Sequence, residues 1–360
     1  MTQRWQSKAF AVALTAALAP SAAAPAADNL TVVSWGGAYT RSQVEAYMKP
    51  YTAKTGVAFE VVDYNGGLNE IERQVESGQI EWDIVDVELS DAVRGCDSGL
   101  FEEFPHDEIL PPGDDGMPIH DDFIPAALQD CAVGEIVWST VFAFDRTKFP
   151  EQQPRTIQDF FDVEKFPGKR GLRKSPRVNL EWALMADGVR SAEVYLELSK
   201  PGGIARAFRM LDTIRDHVIW WEAGSEPTKL LDRGEVVMTS AYNGRLYDAI
   251  AIENKPYQIV WDGQVWDIDL WAVVKGTENL ETAFDFVAFS TDTQRLADQA
   301  KYISYGPVRR SSMRLIDPAM RWMLPTTSEN LLNAVQNNFQ WWSDNQARMD
   351  QRFREWLTGS

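Results

Sequence analysis

The chain has 360 residues, of which 44% are hydrophobic and 24% charged. That length suits about two domains with a packed core and excludes a disordered or fibrous protein. Fifty-three acids against 35 bases give a net charge of −18, a field that repels phosphate backbones, so nucleic acid is not an expected partner.

Arg4 and Lys8 precede an apolar run from Ala9 to Ala19, followed by the small residues Ser21-Ala22-Ala23-Ala24-Pro25-Ala26-Ala27. These are the parts of a secretory signal peptide, and 11 residues are too few to cross a bilayer. Cleavage is expected after Ala26 or Ala27. Residues 1–27 carry two bases and no acid, so the mature chain from Asp28 would stand at −20. No later stretch reaches membrane-spanning length. The mature protein is therefore expected to be soluble and exported, in the periplasm. Cys96 and Cys131, the two cysteines present, read as one disulfide in such a chain, with two buried thiols as the alternative. Neither has a nearby Cys or His partner for a metal.

Leu30–Ser34 reads as a strand ending at Trp35-Gly36-Gly37. Thr40–Tyr51 has helical spacing, Phe59–Val62 reads as a strand, Leu68–Glu76 as a helix and Ile84–Val87 as a strand. A β-α-β-α-β opening predicts a parallel sheet covered by helices, an α/β fold. Pro and acidic residues between Phe104 and Asp122 predict a solvated loop. Ile136–Phe144 reads as an apolar strand, and Pro167-Gly168-Lys169-Arg170-Gly171 leads into a second α/β region. Helices are expected over Leu180–Ala186, Ser191–Leu198 and Ile204–Ile214, and strands over Val236–Ser240, Tyr257–Val260 and Asp269–Val274. From Pro318 onward the sequence reads as mostly helical. Of the 14 Trp residues, Trp182, Trp322 and Trp356 have helical spacing and are expected in the core. Trp221 and Trp271 fit either a core or a ligand wall.

The sequence has no GxxxxGK[ST], HExxH or GxSxG motif, and its three histidines flank no evident nucleophile. No catalytic residue, metal ligand or cofactor is expected. Trp35-Gly36-Gly37-Ala38 lacks the glycines of a dinucleotide site. Aromatic and acidic residues instead gather at strand ends: Trp35 and Tyr39 after the first strand, Glu88 after the third, Tyr242-Asn243-Gly244-Arg245, Trp266-Asp267-Ile268-Asp269, and the turn Tyr305-Gly306-Pro307. Strand ends are where α/β sheets bind ligands. Aromatic walls with a carboxylate suit an ammonium group, through cation–π attraction and charge neutralisation. Asp267 and Asp269, two apart on a strand, share a face.

The sequence resembles the extracellular solute-binding proteins of bacterial ABC importers, of the polyamine (spermidine/putrescine) type. The residues that carry this are Val33-Ser34-Trp35-Gly36-Gly37, Thr55-Gly56-Val57, Asp83-Ile84-Val85, Gly99-Leu100-Phe101 and Phe166-Pro167-Gly168-Lys169-Arg170-Gly171. Further along come Gly234-Glu235-Val236-Val237-Met238, Ala241-Tyr242-Asn243-Gly244, Asp269-Leu270-Trp271-Ala272-Val273 and Tyr305-Gly306-Pro307. The resemblance covers nearly all of the mature chain. It implies a periplasmic-binding-protein fold of type II, with hinge-linked lobes around a ligand cleft. Lobe one would hold residues 28–141 and 270–315, and lobe two residues 142–269 and 316–360. It also implies a small-molecule amine ligand, an ABC permease in the inner membrane as partner, no enzymatic activity, and a freely diffusing monomer. Trp35, Tyr242 and Asp269 map to amine contacts and Tyr305 to the turn tyrosine. Tyr39 lies in the first loop, and Glu88 takes the place of a polar loop residue.

The sequence departs from the spermidine-binding pattern where an Asp-x-x-Glu pair holds the far amine. Here it reads Ser175-Pro176-Arg177-Val178, preceded by Arg173-Lys174, and Arg245 follows Asn243-Gly244. An ω-amino acid such as 4-aminobutyrate would place its amine near Asp269 and its carboxylate near Arg177 or Arg245. Polyamine and ω-amino acid both stay open, the former needing a replacement acid such as Glu88 or Glu181. A secreted hydrolase with paired carboxylates, stacking glycans on Trp, is the alternative from another class, and Asp267 and Asp269 on one face suit it poorly. An iron-binding member would favour adjacent tyrosines, and the chain has no Tyr-Tyr pair. Transport and sensing are not separable by sequence.

Overall fold

The computed structural model describes residues 1–2 and 29–359, so the signal-peptide reading lies outside the described residues. Eleven strands form one mixed sheet. In chain order they are β1 (Asn29–Ser34), β2 (Ala58–Asp63), β3 (Ile84–Glu88), β4 (Leu128–Gln129), β5 (Ala132–Asp145), β6 (Arg170–Arg173), β7 (Val218–Trp221), β8 (Met238–Tyr242), β9 (Tyr257–Val273), β10 (Gly306–Pro307) and β11 (Val335–Gln336). The main path runs β2-β1-β3-β9-β5-β8-β6-β7. Pairing is parallel within β2-β1-β3 and β8-β6-β7, as the alternation of strands and helices predicted. It is antiparallel where β9 and β5 join the two sets.

Two hydrophobic cores flank that junction. One gathers Leu30, Val32, Val85, Trp271 and Phe286; the other gathers Phe142, Phe160, Trp182, Trp342 and Phe353. Along β5 the change of core falls between Val137 and Phe142, and along β9 between Val265 and Ile268. The molecule thus has two lobes sharing one sheet.

Local chemistry explains the individual elements. The apolar β1 and β3 are covered on both faces, as parallel strands require. The helix Asn69–Ser77 stops at Gly78, whose φ of 65° is open to glycine. Thr156 and Asp159 form a capping box on the helix Ile157–Phe161. The C-terminal helix Phe339–Thr358 buries Trp342, Met349 and Phe353 on one stripe and is capped by Asn338, whose side chain accepts from Trp341 N–H.

Several expectations are corrected. Tyr257–Val260 and the Asp269–Val274 run up to Val273 belong to one 17-residue strand. A register shift opposite Thr140 and Phe142 absorbs the extra residues, and Gly263, at φ 77°, bends the strand there. The 104–122 segment is not all solvated: Asp122 is fully buried, pairs with Arg309 at 3.2 Å and accepts from Ser311. Trp182 is core, but Trp322 is 64% exposed, because residues 322–334 are turns and not helix. Trp271 is core, whereas Trp221 both packs and lines a chamber. No helix among the described residues is long and apolar enough to cross a membrane.

Cys96 and Cys131 form a disulfide, with Cα atoms 5.6 Å apart and a separation of 35 positions in sequence. It ties the helix Leu89–Asp97 to the start of β5 in lobe one. Closing a loop of that length restricts the unfolded chain by roughly 3–4 kcal/mol in the chain-entropy account. The double variant Cys96→Ala/Cys131→Ala should lose about that much in urea unfolding while keeping its far-UV spectrum. An unchanged midpoint would refute the estimate.

Candidate functional site

The cleft is built from strand ends of both lobes. β1 ends at Ser34, and Trp35 leads into Gly36 and Gly37, with φ of 74° and 62°. Glycine is needed here for more than conformation. A Cβ on Gly37 would stand 2.6 Å from Arg245 Nη1. Without it, Arg245 of lobe two reaches over and donates from Nη2 to the carbonyls of Gly36 at 2.8 Å and Trp35 at 3.3 Å.

The Trp35 ring stacks at a tilt on Tyr64, 4.8 Å between centroids, and its Nε1 donates to Asp86 at 3.0 Å. Tyr39 donates to Asp86 at 2.6 Å and packs edge-on against Tyr305. From β5, Trp138 Nε1 donates to Asp269 Oδ1 at 2.6 Å. Tyr242, at the end of β8, meets Trp138 and Trp221 edge-on, with Arg173 above its ring at 5.9 Å. Gly224 and Gly244 let the rings approach: a Cβ on the first would lie 3.0 Å from Tyr242, and on the second 2.6 Å from Tyr305.

The resulting cavity encloses about 500 Å³ of space, open solvent at its mouth included. Of the residues singled out from sequence, Trp35, Tyr39, Glu88, Tyr242, Arg245, Asp269 and Tyr305 line it. Three do not. Arg177 donates to Glu88, to Ser90 at 2.6 Å and to Gln346 at 2.7 Å, so its guanidinium is occupied in pairing the lobes. Trp266 alternates to the other face of β9 and packs against the lobe-one core. Asp267 opens into an adjoining chamber. Glu181 is buried with Tyr195 and Trp342, away from the cleft.

Sequence reading missed Trp138, Arg173, Asn65 and Gly224 as lining residues. Trp138 looked like one more apolar strand residue. Only the antiparallel register, which sets Ile136 opposite Asp269, brings the two together. Arg173 stood in the departing segment already noted, but β6 was not recognised as the strand presenting it.

Electrostatically the cavity is bipolar. Burial raises Asp269 well above the usual carboxylate range, with Asp86 and Glu88 adding repulsion. Burial likewise lifts Asp86 to about 6, and lifts Glu135, with Asp86 contributing. Burial works against the charge of Arg177, but Glu88 prevails and holds its pKa up. The buried Nε of Arg245 has no hydrogen-bond partner among the described residues, and it lies 3.9 Å from where a Gly224 Cβ would be. Such a site can hold an ammonium against aromatic faces and Asp269, and a carboxylate against guanidinium N–H donors. No cluster of His, Cys, Asp or Glu among the described residues could hold a metal. Lobe contacts outside the cavity include Arg41 with Asp248 at 2.9 Å.

Comparison with known proteins gives a consistent picture. Residues 46–326 match the family described as bacterial extracellular solute-binding protein. The chain is 40% identical over 340 residues to the gamma-aminobutyric acid-binding protein of Pseudomonas aeruginosa, covering 94% of each. Among solved structures, an ABC transporter substrate-binding protein from Bradyrhizobium japonicum is 31% identical with a TM-score of 0.82, covering 91% of this chain and 99% of the other. The Atu4243-GABA receptor is 28% identical with a TM-score of 0.79, covering 92% and 98%.

The raised acids make stability depend on pH. Asp86 at about 6 and Asp267 at about 7 keep protons in the fold that the unfolded chain releases above roughly pH 4. Folding therefore takes up protons between roughly pH 4 and 7, and stability is lost as pH rises through that window. Calorimetric melting should give a higher Tm at pH 5 than at pH 7.5, with a flatter dependence in Asp267→Asn. A Tm that climbs with pH over this interval would contradict the assignment.

Proposed function

The chain belongs to the bacterial extracellular solute-binding proteins, and we propose that its cleft captures a linear ω-amino acid of the 4-aminobutyrate class. The protein is the substrate-binding component of an ABC transporter, with a small-molecule ligand and a permease as partners, and it is not an enzyme. The periplasmic-binding-protein fold supplies the two lobes and the cleft between them.

The observation that carries the ligand assignment is the presence of an acid and two guanidinium groups in the lining of one aromatic cavity. Asp269, fixed by Trp138, stands among Trp35, Tyr39, Tyr242 and Tyr305. Arg245, whose buried Nε has no hydrogen-bond partner among the described residues, and Arg173 line the same space. The ammonium goes to Asp269 and the aromatic faces, and the carboxylate to the two arginines. A diamine would bring its second ammonium against Arg173 and Arg245 and lose that pairing. The names of two relatives, a gamma-aminobutyric acid-binding protein and a GABA receptor, support the same chemistry.

Closure follows from the same contacts. Arg245 hydrogen-bonds the Trp35 and Gly36 carbonyls across the cleft. A carboxylate on its Nε would fix the guanidinium in the orientation that makes them, so ligand and lobe contact reinforce each other. We also propose that the protein works in the periplasm as a monomer, exported by the N-terminal segment. The acidic field argues against nucleic acid.

Isothermal titration of the mature chain tests this. 4-Aminobutyrate should bind, and butylamine and butyrate, each lacking one charged end, should bind far more weakly. Asp269→Asn and Arg245→Gln should each weaken 4-aminobutyrate by roughly tenfold to a hundredfold, the size of a lost charge-assisted hydrogen bond. Tight binding of putrescine or spermidine with no binding of the amino acid would overturn the proposal.

A further inference from the structure

Beside the main cleft lies a second chamber that a four-carbon ligand leaves unused. It shares Glu88, Trp138 and Arg173 with the cleft and extends past them. Trp138, Trp221, Val178 and Val265 give it apolar sides, and Asp267 and Asn337 lie among its polar wall residues.

Asp267 is the feature that lacks an explanation. It is 3% exposed. Its carboxylate accepts from Ile268 N–H at 2.8 Å and from the Asn337 amide, neither of which is a cation. Two arginines border the chamber; the charge of Arg177 reaches Asp267 through space, but neither arginine hydrogen-bonds to it. Arg177 is paired with Glu88 and bonded to Ser90 and Gln346. Arg173 faces Glu88 at 3.8 Å and lies over Tyr242. A buried carboxyl with no cation hydrogen-bonded to it is costly to ionise, and burial, with Glu88 adding to it, raises Asp267 to about 7 against the opposing charge of Arg177. An ammonium group in the chamber would supply a hydrogen-bonded cation, and the apolar sides suit the methylenes leading to it.

Geometry gives the length of the ligand. Asp267 and Asp269 are two residues apart on one face of β9, about 6.6 Å along the strand. The α- and ω-nitrogens of an amino acid with a three-methylene side chain are roughly 6 Å apart when extended. We infer that the chamber is a second ammonium subsite and that the protein also takes basic α-amino acids. The α-carboxylate sits at Arg245 and Arg173, the α-ammonium at Asp269 and the ω-ammonium at Asp267. This rests on the proposed amino-acid anchor at Asp269 and Arg245.

The test compares ornithine with norvaline, which has the same carbon skeleton without the ω-amine, by isothermal titration of the full mature chain. The wild type should prefer ornithine by roughly tenfold or more, and Asp267→Asn, checked for folding by its melting curve, should bring the ratio close to one. Asp267→Ser serves as a second variant if the first does not fold. Equal affinities in the wild type, or an unchanged ratio in a folded variant, overturn the inference. A titration with 4-aminobutyrate separates the two claims. If it binds while ornithine and norvaline bind alike, only the second subsite fails; if it does not bind, the anchor itself fails.

Discussion

The antiparallel pairing of β5 with β9 is the constraint on which the rest depends. These are the strands that belong to both cores, and their register decides which side chains meet in the cleft. Ile136 opposite Asp269 and Trp138 opposite Asp267 bring the Trp138 indole to the Asp269 carboxylate. A slip of β9 by one residue would turn both acids to the other face of the sheet, away from the indole of β5. The bend at Gly263 lets one strand serve two lobes without breaking the ladder.

Charge is arranged around that spine with an economy that the net charge of −18 conceals. Two buried acids of lobe one, Asp86 and Glu135, lie on different strands and are held by neutral donors. Asp86 accepts from Trp35, Tyr39 and Gln43, while Glu135 accepts from Gln43 and Gln299. Lobe two contributes the arginines. Arg177 is spent on Glu88 and so closes the lobes, which leaves Arg245 and Arg173 facing the ligand space. The division matters because an arginine committed to a protein carboxylate has little to offer a ligand carboxylate.

The glycines explain why the aromatic walls fit together. Gly37, Gly224 and Gly244 each stand where a Cβ would strike Arg245, Tyr242 or Tyr305. Lobe one and lobe two therefore approach with backbone against side chain, and the rings define a narrow space between the charges.

Much of this was legible in the sequence. Alternating apolar runs and breakers fixed the parallel halves of the sheet, because burial on both faces demands such runs. The cluster of aromatics and acids after strand ends pointed to the cleft, and seven of the ten candidate residues line one cavity. What the sequence could not hold was pairing between distant segments. That Trp138 meets Asp269, 131 residues away, and that Arg177 turns to Glu88 while Arg245 keeps a free Nε, are decided by sheet register and lobe contact. Local propensity acts over a few residues; the charge left available to a ligand is what remains after every long-range pair has formed, and only the tertiary structure sets that remainder.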